Sequence, residues 1–347
     1  METTVMRWQD EVAEAELKQA AEVLRKGGLV AFPTETVYGL GGNALNEDAI
    51  EGIYRAKGRP SDNPLIVHIG DVADLQPLVR EISEGAKRLM DAFWPGPLTI
   101  ILPKSDAVPL KTTGGLDTVA VRMPNHPVAL KLLKAAKVPV AAPSANTSGK
   151  PSPTCSAHVE EDLSGKIDVI IDGGATGIGL ESTVVEVMDD GVMILRPGGV
   201  TKEDLLMHFD KVIMDPALES EDAHKKPRAP GQKYKHYSPK AEVYMVGEAD
   251  GKDMAERIVE IYEQMTAEGK CVGIMATEEH LRSYEGLRYI VVGNRLESET
   301  VAANLFRVLR DFDAMKVDVI LAEVLDEKGI NLATMNRLRK AAGGKHL

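Results

Sequence analysis

The sequence predicts an α/β protein in two parts: a twisted mixed sheet carrying helices in residues 1–210, and a Rossmann-like parallel α/β domain in residues 241–347. Three observations predict it. Short apolar runs outnumber helical patterns before residue 210, which is too strand-rich for a simple repeating βαβ chain. The last third alternates strand and helix regularly, as a parallel sheet requires. Between them, residues 211–240 crowd charges and prolines with no apolar period, which reads as an interdomain linker.

The elements follow in order. Residues 11–26 set Val12, Leu17, Ala20, Ala21 and Leu24 on one helical face, and Gly27-Gly28 ends that helix. Residues 29–32 (LVAF) read as a buried strand stopped by Pro33, and Asn46 can cap a helix reaching Ala56. Strand-like runs lie at 65–69, 98–102, 118–122, 138–142, 168–171, 183–188 and 192–195, with helices near 83–93 and 126–136. Beyond the linker, strands at 242–246, 271–275, 288–292 and 318–324 alternate with helices near 252–268, 297–314 and 330–342. No G-x-G-x-x-G follows the first of these, so the fold type there implies no dinucleotide.

Hydrophobic residues make up 44% of the chain and charged residues 27%, which excludes a disordered or collagen-like polymer. No apolar run approaches the ~18 residues of a membrane span. The acidic, polar start (METTVMRWQDEVAEAELKQ) does not read as a signal peptide. Only Cys155 and Cys271 are present, which argues against a disulfide framework or a cysteine zinc site and for a reducing, cytoplasmic setting. The net charge of −12 speaks against stable nonspecific nucleic-acid binding. It divides as −10 over residues 1–210, +3 over 211–240 and −5 over 241–347. A basic segment between acidic blocks suggests that the linker meets an anion.

The chemistry-bearing residues gather at strand ends. The strand at 29–32 runs into Thr34-Glu35-Thr36-Val37-Tyr38-Gly39, a hydroxyl- and glycine-rich loop placed where open α/β sheets hold ligands. The same residues could equally build a plain polar turn. Arg55, Lys57 and Arg59 crowd the end of the second helix and a proline-flanked loop through Asn63. The helix dipole accounts for Arg55 and in part for Lys57, but not for Arg59, so the cluster reads as a polyphosphate clamp. Both Lys57 and Arg59 are expected at a cleft, so alanine there should cripple activity and leave the fold intact. Ser144 and Asn146, then Ser152, follow the strand at 138–142; Arg122, Ser182 and Arg196 sit at other strand ends. His68, inside LIVHI, taken alone reads as a core histidine. There is no P-loop and no HExxH.

FPTETVYGLG, YRAKGRPSDNPL, FWPGPLT, VAVRMPNHP, APSANTSG, ESTVV and LRPG occur in this order, and together they resemble the YrdC-like domain of L-threonylcarbamoyladenylate synthases over about residues 15–205. PGQKYKHYSP at 230–239 and the tail ending in MNRLRKAA resemble the longer, two-domain form of that family. The resemblance implies a YrdC-like domain at 1–210, a linker crossing the active site at 211–240 and a Rossmann-like domain at 241–347. It implies synthesis of L-threonylcarbamoyl-AMP from L-threonine, bicarbonate or carbon dioxide and ATP, with release of pyrophosphate. That is the first step of N6-threonylcarbamoyladenosine formation in tRNA, and a tRNA threonylcarbamoyl-transferase complex would take the product.

The family signatures fall on Lys57/Arg59 and Ser144/Asn146, which by resemblance form the catalytic set. Arg59, Asn63, Thr118, Ser144, Ser152, Arg196, His236 and Tyr237 would bind ATP, with Lys233 near it. Thr36, His68, Arg122, the Ala142 backbone and Ser182 would hold threonine. Mg²⁺ would accompany ATP, with no zinc and no covalent cofactor; residues 225–240 would act as a lid. Gln232 and Ser238 depart from the family's usual methionine and alanine, away from the clamp. The competing reading is a tRNA or double-stranded RNA-binding module without adenylyl transfer.

Overall fold

The computed structural model describes residues 2–8, 13–218, 236–249 and 251–347. The chain forms two compact units: Met1–Ser148 with Ser152–Tyr234, and Gly149–Pro151 with Lys235–Leu347.

The first unit runs β1 (Thr4–Arg7), α1 (Glu14–Arg25), β2 (Val30–Phe32), β3 (Gly39–Asn43), α2 (Glu47–Lys57), β4 (Ile66–His68), α3 (Glu84–Phe93), β5 (Leu98–Pro103), β6 (Thr118–Arg122), α4 (Pro127–Ala136), β7 (Val140–Ala141), α5 (Ser156–Leu163), β8 (Val169–Asp172), β9 (Thr183–Met188), β10 (Gly191–Arg196), α6 (Lys202–Leu206) and β11 (Val212–Met214). Its eleven described strands make one mixed sheet in the order β1-β8-β2-β3-β7-β4-β6-β5-β9-β10-β11. At the centre β4 runs parallel to β6, pairing His68 with Arg122, and antiparallel to β7, pairing His68 with Val140.

Side-chain alternation sorts the sheet into two faces. One face buries Ala31, Leu40, Val67, Val121, Ile100 and Val185 against Ile50 and Ile53 of α2, Leu89 of α3, Val159 of α5 and Leu205 of α6. On the opposite face, α1 and α4 pack Leu24, Val128 and Leu132 over Val30, Phe32, Val140 and Ile171. Farther along that second face Ile66, Ile101, Ala120, Val184 and Leu195 form a smaller buried strip made of strand residues alone. By alternation His68, Thr99 and Arg122 of the site described below stand on this second face, opposite Val67, Ile100 and Val121.

Several elements depart from the sequence expectation. β3 is a strand despite reading GLGGN, because its glycines admit close neighbours: a Cβ on Gly41 would lie 2.8 Å from both the Phe32 ring and a Val140 methyl. The run expected at 138–142 pairs only at Val140–Ala141. β1, α5 and α6 were not anticipated. β11 falls inside the segment expected as linker, where Val212, Ile213 and Met214 extend the sheet in parallel beside β10. Three residues are too few to show a period.

The second unit contains β12 (Glu242–Val246), α7 (Met254–Ala267), β13 (Val272–Thr277), β14 (Tyr289–Gly293), α8 (Ser298–Met315), β15 (Val319–Glu323) and α9 (Asn331–Ala342). Its strands are all parallel in the order β12-β15-β13-β14, as the alternation predicted. Val246, Ile258, Ile274, Tyr284 and Leu321 form its core. Residues 149–151 group with this unit; Ser238 N–H donates to the Gly149 carbonyl at 2.9 Å, and Arg310 Nη2 donates to the Pro151 carbonyl at 2.7 Å.

Candidate active site

The C-terminal end of α2 delivers the first site residue. Asn46 caps the helix start, its Oδ1 accepting from the N–H groups of Asp48 and Ala49, and Gly58 ends it in the left-handed region at φ 62°. Lys57 therefore points inward on the last turn and is only 2% exposed. Its Nζ donates to the carbonyls of Ser144 at 2.5 Å and Asn146 at 2.6 Å. The lysine thus fixes the loop after β7 from below. Lys57 was expected at a cleft rather than in the core; its side chain is buried, and its ammonium braces the loop bearing Ser144 and Asn146. Within that loop Ser144 Oγ donates to Asn146 Oδ1 at 2.6 Å, and Asn146 Nδ2 donates to the Thr147 carbonyl at 2.9 Å.

Arg59 is half-buried, and its Nη2 donates to the Pro64 carbonyl at 3.1 Å. The loop it braces is tied to Tyr54, whose hydroxyl donates to the carbonyls of Asn63 at 3.2 Å and Lys111 at 3.1 Å. Burial pushes that phenol up to about 12, so it remains a donor at any physiological pH. Asn63 is buried, and its Oδ1 has no hydrogen-bond partner.

At the centre of the face Arg122 ends β6 and is 3% exposed. Its Nη1 donates to Thr36 Oγ1 at 2.9 Å and its Nε to the Gly96 carbonyl at 3.2 Å. Its Nη2 lies 2.5 Å from Glu35 Oε1, an ion pair too poorly aligned to count as a hydrogen bond. Thr36 in turn shares a 2.8 Å hydrogen bond with Thr34 Oγ1, which donates to the Val37 carbonyl.

His68 is buried in the neighbouring strand and meets the Ile66 carbonyl through Nδ1 at 3.1 Å. Burial first, then the Arg122 charge, drive its pKa down to about 3 against the pull of the Ile66 and Val140 carbonyls. The ring is neutral at pH 7, and its Nδ1 makes the Ile66 contact as a donor when that nitrogen carries the proton. The Ala142 N–H is spent on the Ile66 carbonyl at 2.9 Å.

Beyond β5, Arg196 closes β10 and is also buried. Its Nη2 donates to the Ser182 carbonyl at 2.9 Å and to Ser182 Oγ at 3.1 Å. Thr99 shares a 2.7 Å hydrogen bond with the same Ser182 hydroxyl. Ser152 donates to Glu181 Oε1 at 2.5 Å. The 181–183 turn presses on Gly198, where a Cβ would sit 2.3 Å from Thr183 N.

The structure thus links the sequence-named residues into local groups. Lys57, Ser144 and Asn146 form one, Thr36 and Arg122 a second beside His68, and Ser182 and Arg196 a third. Thr118 begins β6, on the same face as Arg122 by alternation but at the opposite strand end. His236 and Tyr237 lie in the second unit, where the Tyr237 ring stacks on Phe306 with centroids 5.1 Å apart. Lys233, Gln232 and most of the expected lid fall outside the described residues. Residue-by-residue reading gave no role to Glu35, Thr34, Thr99 or Glu181. Three of them flank a residue it did name, in Thr-Glu-Thr and Glu-Ser, which was the available signal.

Comparison with known proteins bears on this arrangement. A Sua5/YciO/YrdC family model, described as "Telomere recombination", matches residues 22–198. A second, described as "Threonylcarbamoyl-AMP synthase, C-terminal domain", matches residues 200–343. The chain is 50% identical to a threonylcarbamoyl-AMP synthase of Bacillus subtilis over 96% of its own length and 94% of the relative's. It is 49% identical to one of Pyrococcus abyssi, over 98% of both chains. A crystal structure of P. abyssi Sua5 complexed with L-threonine superposes with a TM-score of 0.93 at 48% identity, covering 99% of each chain. With both models matched in order and full-length relatives near half identity, the chain belongs to the Sua5/YrdC family of threonylcarbamoyl-AMP synthases, in its two-domain form.

Proposed function

We propose that the protein makes L-threonylcarbamoyl-AMP from L-threonine, bicarbonate or carbon dioxide and ATP, releasing pyrophosphate. The observation that carries this reading is a pair of buried guanidiniums: Arg122, which meets Thr36 Oγ1, the Gly96 carbonyl and the Glu35 carboxylate, and Arg196, which donates to the Ser182 carbonyl and hydroxyl. Fixed positive charge in a dry setting suits a carboxylate at one and a polyphosphate at the other.

In this reading Arg122 and Thr36 grip the threonine carboxylate, and neutral His68 offers Nε2 to the side-chain hydroxyl. Arg59, Asn63, Thr118, Ser144, Ser152 and Arg196 surround ATP, while Lys57 keeps the Ser144–Asn146 loop in place. Mg²⁺ enters as part of the substrate, bound to ATP phosphate oxygens. The threonine nitrogen takes up carbon dioxide, and a carbamate oxygen attacks the α-phosphorus; that P–O bond forms as the bond to pyrophosphate breaks. Bringing three reactants together supplies ~7–11 kcal/mol of the barrier through orientation alone, which fits a site rich in positioning groups. The product would pass to a tRNA threonylcarbamoyl-transferase. The cytoplasm is the proposed location: Cys155 and Cys271 are both free thiols, and no helix among the described residues is long and apolar enough to cross a membrane.

The test is pyrophosphate release from ATP with threonine and bicarbonate each omitted in turn. Release that needs both supports the reading. Release indifferent to either, or salt-sensitive tRNA binding with no turnover, defeats it in favour of the RNA-binding alternative.

A further inference from the structure

Glu35 is a carboxylate that the proposed reaction leaves without a task. It sits between the two threonines that organise the Arg122 side chain, and its own side chain is 14% exposed. Neither of its carboxylate oxygens has a hydrogen-bond partner, and both are buried. One lies 2.5 Å from Arg122 Nη2, which is itself buried without a well-formed hydrogen bond. Among the described residues His126, at the start of α4, also feels the Glu35 charge. Burial lowers its pKa, the Glu35 charge opposes that, and its Nδ1 is also buried without a partner. The backbone around the carboxylate is fixed: the Glu35 carbonyl accepts from Ile178 N–H at 2.8 Å.

Acceptor oxygens withdrawn from water without donors are costly, and proteins retain them where a ligand supplies the donors. A guanidinium and a carboxylate side by side, each with bonding capacity to spare, match an α-amino acid zwitterion, whose ammonium and carboxylate are separated by one carbon. Resting on the reading that Arg122 holds the threonine carboxylate, we infer that Glu35 binds the α-ammonium group of the substrate and is a specificity-determining residue for amino acids over hydroxy acids. Glu35 and Arg122 form one receptor for both substrate charges. Substrate entry exchanges the misaligned Glu35–Arg122 contact for two aligned charge-assisted hydrogen bonds, one to each end of the zwitterion.

The experiment is calorimetric binding of L-threonine and of 3-hydroxybutanoate, which lacks the amino group, to the full-length protein and to Glu35→Gln, Glu35→Asp and Arg122→Ala. The wild type should prefer threonine by at least about 30-fold, the scale for leaving a buried charge unpaired. Glu35→Gln should lose most of that preference by weakening threonine alone, and Glu35→Asp should recover part of it. A merely structural Glu35 would weaken both ligands equally in the glutamine variant; that outcome, or threonine affinity unchanged, overturns the inference. Arg122→Ala separates the underlying reading: if it binds threonine normally, the carboxylate assignment itself fails. If it loses threonine while Glu35→Gln does not, only the ammonium assignment fails. Thermal unfolding of each variant identifies any that has not folded.

Discussion

The Lys57 ammonium lies between two carbonyls of the Ser144–Asn146 loop, so its removal strips donors from buried acceptors. Lys57→Met should therefore cost stability as well as activity: about 1–3 kcal/mol for each buried acceptor left without its donor. A lowered melting temperature, together with at least a ~100-fold drop in pyrophosphate release, is the expected pair of results. Full stability with lost activity would instead return Lys57 to the phosphates. His68 gives a second prediction, on acid stability. Its folded pKa of about 3 lies below the unfolded value near 6.5, so the unfolded chain binds the extra proton. Stability is then complete above pH ~6.5 and falls as pH drops toward 3, by up to about 1.4 kcal/mol per unit. Urea unfolding at pH 7, 5.5 and 4.5 should show a shallower acid decline in His68→Gln than in the wild type. The sequence singled out Lys57 and Arg122 by residue type and position, and His68 only through the family resemblance. What it could not show was direction: whether Lys57 faces solvent or carbonyls depends on β7 returning beside β3.

Among the elements, helices with capping residues and apolar stripes were legible, and α2 illustrates why. Asn46→Ala should destabilise the protein by about 1 kcal/mol, read as a shifted urea midpoint with unchanged slope. An effect near zero would mean that packing alone starts the helix. The 181–183 turn makes a sharper prediction. Gly198→Ala would drive a methyl to 2.3 Å from backbone nitrogen and 2.5 Å from the Glu181 carbonyl, and neither can rotate away. The turn must move, so we expect a destabilisation of roughly 1–3 kcal/mol with a large loss of turnover, because Ser182 moves with it. Melting temperature and kcat/KM measured together check this. Strands were legible where β-branched residues repeat, as in TVAVR and TVVEVM. They were illegible in β3, whose glycines serve close packing, and in β11, whose pairing with β10 is a tertiary fact.

For the whole molecule, two sheets that share no strand imply two cores. Residues 236–347, expressed alone, should fold with a single cooperative urea transition, since their sheet and core close on themselves. Expressed this way they would forgo the bonds that Ser238 N–H and Arg310 make to the Gly149 and Pro151 carbonyls. A non-cooperative transition would show that the core does not suffice. The two-part organisation was readable from the change in alternation after residue 240. The sheet order, which puts β7 between β3 and β4, was not, because it depends on pairings distant in sequence.

Those distant pairings also set a schedule for the chain as it is made. Thr36 waits for Arg122, Lys57 waits for Ser144, and Ser182 waits for Arg196. A polypeptide emerging from the ribosome cannot make all three of these contacts until Arg196 has cleared the exit tunnel. A truncated product of stalled translation would then carry the Thr34–Thr36 loop and the Lys57 helix without the partners that hold their side chains in place.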